Sequence, residues 1–485
     1  LHFRHTAFFC LAITVFTAGC HRSAKQNADA KAAVEKAKPV KAPEVPIGPP
    51  LETADVAAQN IFERTASTGM VIVIVRGAET WTSGYGRVAP GSNDKPNPTS
   101  LLRLCSISKI LTTDVLAKLV ADKKVSLDDP LQKFAPKDVV VPEKTVRGPA
   151  LRPINLEDLA THTAGLPREI AYPPAGMAHF TFPDFAYRWQ WLPQFHLRTS
   201  PGNAAHYSNV GFDLLADALS AATGEDYLAL FRERTATPLG MVDTTLTPSP
   251  DQCARLMSGA REPSECSDTQ AAAGSGGMYS TANDMALFMR YLLNLPGVPV
   301  HQNGLSTGMY LDPAKLRSVQ GLGHAGLPTG IGLGWIEINA DHAEARIVQK
   351  TGGGAGFQTY IALNPARHTG IFVALTDGRH HGGINMFRES NDLLLTMAGL
   401  PPVPPDPNDP ERERTGEELR EAAGATRAGR GTRAKLAKPA PRSGTHMVVS
   451  AKAVRHAGTP AKAKPKHSAV QAKQHAVPPK RRVRR

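Results

Sequence analysis

From Leu51 onward the apolar residues fall into two kinds of run. Met70-Val-Ile-Val-Ile-Val75 is continuous and β-branched, the pattern of a strand buried on both faces. A turn at Arg76-Gly-Ala-Glu79 predicts a return strand over Thr80–Val88. After Ser106 the period lengthens, and Ile110, Val115, Leu116, Leu119 and Val120 make one helical face that ends at the turn Ser126–Asp129. Asn155, followed by Glu157 and Asp158, predicts a capped helix start. Phe212–Thr223 is amphipathic, with Gly224 as its terminator. Four strand-like runs follow: Gly332–Ile338, Arg346–Lys350, Phe357–Leu363 and Gly370–Thr376. A helix over Ile384–Ala398 then stops at Gly399 and Pro401. Short polar breaks between the runs predict an antiparallel meander. The expected fold is therefore α+β. One antiparallel sheet is assembled from both chain ends and flanked by helices, with a mostly helical region inserted over about Pro130–Gly330.

The flanks lack these patterns. Residues 1–20 read as an export signal, with Arg4 ahead of an apolar stretch, Thr6–Gly19, too short to span a bilayer as a mature helix. It ends in Thr17-Ala-Gly-Cys20, which resembles a bacterial lipobox with Cys20 as the lipidated residue, although Thr17 departs from the usual Leu. Residues 21–50, rich in Ala, Lys and Pro, form a tether ahead of a globular domain over 51–400. Residues 401–485 begin with the stiff Pro401–Pro405, and a short charged helix is expected over Glu411–Glu421. The remainder cannot bury enough apolar surface to offset its chain entropy, so it is expected to be disordered.

Charge looks like a nucleic-acid signal until it is located. The net charge is +13, but 17 Lys and Arg and no acid lie between Ala422 and Arg485, which leaves about −4 for everything before them. An export signal removes nucleic acid as a partner. The tail is expected to meet an anionic cell-wall or membrane surface. The expected location is the bacterial periplasm, with a lipid anchor in the outer membrane preferred.

Three short motifs carry the chemistry: Ser106-Ile-Ser-Lys109, Tyr207-Ser-Asn209 and Lys350-Thr-Gly352, the last running on into Gly353 and Gly354. Each alone is a common pattern. In this order they describe an activated serine attacking an acyl group. Lys109 lies one helical turn after Ser106 on the same face and can take its proton if burial and the Lys350 cation depress its pKa. Tyr207 is the second candidate base, since nearby lysines favour its phenolate, and Asn209 can orient Lys109 and a substrate amide. The backbone N–H groups of Ser106 and Gly353 are the expected oxyanion donors. Of the five cysteines, Cys253 and Cys266 enclose a short polar loop in a disulfide-permitting compartment. Closing such a loop gains about 3 kcal/mol in the chain-entropy view. Zinc is the alternative there, but no second Cys or His pair stands at ligand spacing. Cys105 reads as a small buried thiol, and His162 and His206 as packing or loop residues. No metal or cofactor is expected.

The motif set resembles the serine β-lactamase and penicillin-binding-protein superfamily, in the Tyr-x-Asn form of class C β-lactamases. The AmpH-type branch of penicillin-binding proteins is more similar still. The likeness rests on Ile154–Pro167, Pro201-Gly-Asn203, Pro238–Met241, Thr247–Cys253, Gly274–Gly277 and Lys350–Gly354, and spans about Leu51–Gly399. It implies Ser106 as nucleophile, Lys109 as its partner and Tyr207 as general base. It further implies Asn209 as orienting group, and Lys350, Thr351 and Gly352 as the substrate-carboxylate anchor. The Cys253–Cys266 loop lies within it. The implied activity is D-alanyl-D-alanine carboxypeptidase and cross-link endopeptidase on peptidoglycan stem peptides, with β-lactams as covalent inhibitors. Three rivals stay open: a class C-like β-lactamase, an esterase of the same fold, and a wall-binding scaffold without activity. The basic tail and the lipobox have no counterpart in that branch.

Overall fold

The computed structural model describes residues 48–406, except 146, 148–149, 172–173, 175, 302–303 and 378–385. The signal-like segment, nearly all of the tether, the helix expected over Glu411–Glu421 and the basic tail lie outside the described residues. No described helix is long and apolar enough to cross a membrane.

Eight strands form one antiparallel sheet. They are β1 (Gly69–Arg76), β2 (Glu79–Gly86), β3 (Met309–Leu311), β4 (Gly330–Gly332), β5 (Ile336–Ile338), β6 (Ile347–Gly354), β7 (Phe357–Asn364) and β8 (Thr369–Thr376), in the order β2-β1-β8-β7-β6-β5-β4-β3. The first strand thus pairs with the last, Met70 opposite Leu375 and Arg76 opposite Thr369, so both chain ends build the sheet as expected. All eight residues of β1 are buried, because helices cover both faces. Val71, Val73 and Val75 face a core shared with α2 (Ser108–Ala121), α3 (Asn209–Thr223) and α4 (Ala282–Leu292). Met70, Ile72 and Ile74 face a second core with α1 (Ala54–Thr65) and α5 (Met386–Met397). Two-sided burial is what a continuous apolar strand requires.

The structure corrects several boundaries. The single run Gly332–Ile338 is two strands, β4 and β5, joined by a tight turn in which Gly332 N–H bonds to Trp335 C=O. Gly334 sits there at φ +74°, in the left-handed region that favours glycine, and its N–H bonds to Ala160 C=O. The apolar Leu333 and Trp335 hid this turn because both are fully buried. The strand expected over Arg346–Lys350 continues to Gly354, so Lys350 lies inside a strand rather than at its end. Helix α1 was not foreseen, and the inserted region also contributes β3 to the sheet edge. Cys253 and Cys266 are joined, with S–S 2.01 Å and Cα–Cα 5.7 Å, which answers the zinc alternative for that pair.

Candidate active site

Ser106 sits in a 3-10 turn, Cys105–Ile107, that leads directly into α2. It is the one residue between Leu101 and Ala117 that is not buried. The turn is tight: Cys105 adopts φ +51°, a strained value for a side-chain-bearing residue. Its surroundings hold it there. Ser108 Oγ donates to Cys105 C=O at 2.7 Å, Thr359 Oγ1 to Leu104 C=O at 2.8 Å, and the Cys105 thiol to Gly354 C=O at 3.2 Å. Burial pushes that thiol up to about 12, so it remains a protonated donor.

Strand β6 approaches this turn closely. A side chain at Gly352 would meet Leu104 C=O at 2.7 Å, and the Thr359 hydroxyl closer still. Gly352 is therefore the residue that lets the strand lie against the nucleophile turn. Among the described residues, β6 beyond Gln349 has a strand neighbour only on the β7 side, so Lys350–Gly354 presents an unpaired strand edge beside Ser106. The expected oxyanion pair, Ser106 and Gly353, thus lies on two adjoining segments.

The three motifs converge. Tyr207 Oη donates to Ser106 Oγ at 2.5 Å, and Lys109 Nζ lies 3.4 Å from the same oxygen. Lys109 is fully buried and also donates to Asn209 Oδ1 and to Ser275 C=O, each at 2.6 Å. Burial lowers its pKa, while the Asp213 and Glu169 carboxylates pull it back up. Lys350 is buried as well. Its Nζ donates to Thr351 C=O at 2.7 Å and lies 5.3 Å from the Tyr207 ring centre. Burial brings its pKa down to about 8, and the nearby Lys109 and Arg168 cations act in the same direction. The sequence reading assigned a depressing role on Lys109 to Lys350; burial is the main cause there, and the cation that adds to it is Arg168, while Lys109 acts on Lys350.

Sequence reasoning missed a second layer, most of it in the segment His162–Glu169. His162 C=O accepts from His206 N–H at 2.9 Å, and its Nδ1 accepts from Ser208 N–H at 3.0 Å, so one residue clamps the backbone on both sides of Tyr207. Its ring is sandwiched between Tyr207 and Phe212, with centroids 4.5 Å and 4.9 Å away. Burial and the cations Lys109, Lys350 and Arg168 hold it well below the usual histidine range, so it is neutral with its proton on Nε2. Glu169 accepts from the Asn209 amide, and burial raises its pKa. Arg168 places its guanidinium carbon 4.9 Å from the Tyr207 ring centre. Asp213 accepts from Ser275 N–H and Oγ at 2.9 and 3.0 Å and so fixes the carbonyl that holds Lys109. His206 lies apart, with its ring on Ser318 Oγ. Among the described residues no His, Cys, Asp and Glu cluster could hold a metal.

A serine hydroxyl met by a phenol and a buried amine, beside a free strand edge, on this sheet-and-helix scaffold, defines the class of serine hydrolases that work through an acyl-enzyme. Similarity to known proteins narrows it. Residues 57–385 match the Beta-lactamase family, and the chain belongs to that family. It is 40% identical over 374 residues to the D-alanyl-D-alanine-carboxypeptidase/endopeptidase AmpH of Escherichia coli strain K12, covering 76% of this chain and 94% of that protein. The solved β-lactamase/D-alanine carboxypeptidase of Yersinia pestis, complexed with citrate, is 40% identical with a TM-score of 0.66, covering 70% of this chain and 96% of that one. A class C β-lactamase from Rhodobacter sphaeroides, 21% identical with a TM-score of 0.56 over 70% and 97% of the two chains, shares the fold.

Proposed function

We propose that the protein is a serine DD-peptidase of peptidoglycan, which removes terminal D-Ala from stem peptides and splits D-Ala-containing cross-links through an acyl-enzyme on Ser106. The observation that carries this is the convergence of Tyr207 Oη and Lys109 Nζ on Ser106 Oγ. Ser106 Oγ attacks the penultimate D-Ala carbonyl while Tyr207, reacting in its phenolate form, takes the serine proton. The Ser106 and Gly353 N–H groups receive the oxyanion, and the amine of the last residue leaves with the proton from Tyr207. Water then attacks the acyl ester by the reverse proton path and frees Ser106. Lys109, held by Asn209 and Ser275, keeps its amine 3.4 Å from the reacting oxygen. Lys350, with Thr351 and Gly352, receives the substrate carboxylate.

Attachment follows the sequence. Lipidation at Cys20 would tether the enzyme to the periplasmic side of a membrane, the outer one preferred, and the basic tail would add attraction to an anionic wall or lipid surface. β-Lactams are covalent inhibitors in this reading. The rival is a β-lactamase with the same acylation machinery, favoured by the fold shared with class C enzymes.

Intact-mass measurement after mixing with benzylpenicillin, followed over time, separates the two. The peptidase reading expects an adduct on Ser106 that lasts minutes or longer, together with loss of D-Ala from purified muropeptides and their splitting to monomers. Rapid loss of the adduct with many turnovers supports the β-lactamase. An adduct that still forms on Ser106→Ala removes Ser106 as the nucleophile.

A further inference from the structure

We propose that Arg168 selects substrates that end in a free carboxylate, gripping that group together with Lys350 at the rim of the site. This rests on the acyl-enzyme reading of Ser106 and deepens it. The backbone around Arg168 is pinned: Asn209 N–H donates to Arg168 C=O at 2.9 Å, and Ser208 Oγ donates to Pro167 C=O at 2.7 Å. The side chain is exposed, and its guanidinium carbon lies 4.9 Å from the centre of the Tyr207 ring. Lys350 Nζ lies 5.3 Å from the same centre. Two cations thus border the phenol that touches Ser106.

Their surroundings differ. Among the described residues the Arg168 guanidinium makes no hydrogen bond or ion pair, in contrast to Arg188, which holds Asp217 at 2.6 Å, and Arg152, which holds Asp158 at 2.6 Å. The adjacent carboxylate, Glu169, is taken by the Asn209 amide. Lys350 is 3% exposed and gives one of its three N–H donors to Thr351 C=O, so it meets an incoming anion as a single point charge with at most two donors left. A guanidinium presents paired N–H donors that match a carboxylate in a bidentate way. The Arg168 cation also disfavours the charge on Lys350. A carboxylate seated between them relieves that repulsion. The ligand class is an acyl compound with a carboxylate on the leaving-group side of the reacting carbonyl. The corresponding ester or amide loses this grip.

Benzylpenicillin and its methyl ester differ in that carboxylate alone, and both carry the reactive amide. The test is the second-order acylation rate with each, read by intact mass on the full chain. The wild type is expected to prefer the acid, and Arg168→Gln to lower the acid-to-ester ratio about tenfold or more. Arg168→Met, which keeps an unbranched stem against the Tyr207 ring, is expected to do the same, and a misfolded variant would react with neither reagent. An unchanged ratio in either reactive variant overturns the proposal and leaves Arg168 as a solvated surface residue. If muropeptides are inert while both penicillins acylate, the peptidase reading fails and the Arg168 assignment is still decided by the ratio.

Discussion

The imidazole of His162 lies stacked on the phenol of Tyr207, centroids 4.5 Å apart at an interplanar angle of 29°. The same imidazole accepts the N–H of Ser208, the residue after Tyr207. The phenol is therefore located by its ring face and by its backbone at once. Its oxygen must meet Ser106 Oγ, and misplacement of about 1 Å at such a contact can cost about a hundredfold in rate.

Replacing His162 by Phe keeps the stack and removes the Nδ1 acceptor, leaving Ser208 N–H buried without a partner. Acylation by benzylpenicillin is expected to slow about tenfold or more, with stability lower by about 1–3 kcal/mol. His162→Asn restores an acceptor near Nδ1 without the ring and is expected to regain part of the rate. If rates in the two variants merely follow their melting temperatures, His162 packs the core and does not position Tyr207.

Tyr207→Phe removes one oxygen, which the fold barely uses. Peptide hydrolysis is expected to fall about 10²–10⁴-fold with an unchanged melting temperature. Retained turnover would pass the proton-acceptor role to Lys109.

Lys350 makes two pH predictions. Its charged form is needed to hold a carboxylate, so KM for carboxylate-ended substrates is expected to climb as pH rises through about 8. Stability moves the other way. The folded pKa is depressed below the ordinary lysine value of 10.5, so the unfolded chain binds more protons between about 8 and 10.5. The cost of burying the cation is fully present below about 8 and is relieved as pH rises across that window. Denaturant titrations at pH 7.5 and 9.5 read the change, and Lys350→Met should reduce it, leaving the part that buried Lys109 contributes with the same sign.

Gly352→Ala is expected to destabilise by about 1–3 kcal/mol, as overpacking does. It should also slow acylation, because the added methyl pushes β6 away from the Leu104 carbonyl. Wild-type stability and rate in this variant would mean that the strand and the nucleophile turn adjust independently.

The tail is tested by co-sedimentation with peptidoglycan sacculi at low and high salt. The full chain is expected to sediment at low salt and release at high salt, whereas a chain ending at Asp406 stays in solution. That cut keeps Leu400 and Val403, which pack on the α1–α5 core. Equal sedimentation of both chains, independent of salt, would leave the tail without a wall-anchoring role.

What the sequence made legible, and what it hid, follows from contact range. Ser106 and Lys109 share a helical turn, and Tyr207 and Asn209 share a motif, so their types and spacings announce them. His162, Glu169, Arg168, Asp213 and Ser275 act through partners 39 to 166 positions away, and no local pattern reports such contacts. His162 was read as packing, and its ring does pack. Its two acceptors, which bracket Tyr207, become visible only with the backbone in place. Similarly, β1 and β8 declared themselves as strands by composition. The turn at Gly334 did not, because apolar residues fill it on both sides.

The pairing of β1 with β8, together with the placement of Ser106 and Lys350 on opposite sides of the inserted region, bears on when the enzyme can first act. A ribosome releases the chain from its N-terminus, so the nucleophile emerges long before β6 exists to supply Lys350 and the Gly353 N–H. In the proposed mechanism the serine then has neither its carboxylate anchor nor half of its oxyanion site during synthesis. Hydrolytic competence thus arrives only with nearly the whole domain, and a nascent or prematurely truncated chain has no working site with which to attack peptides.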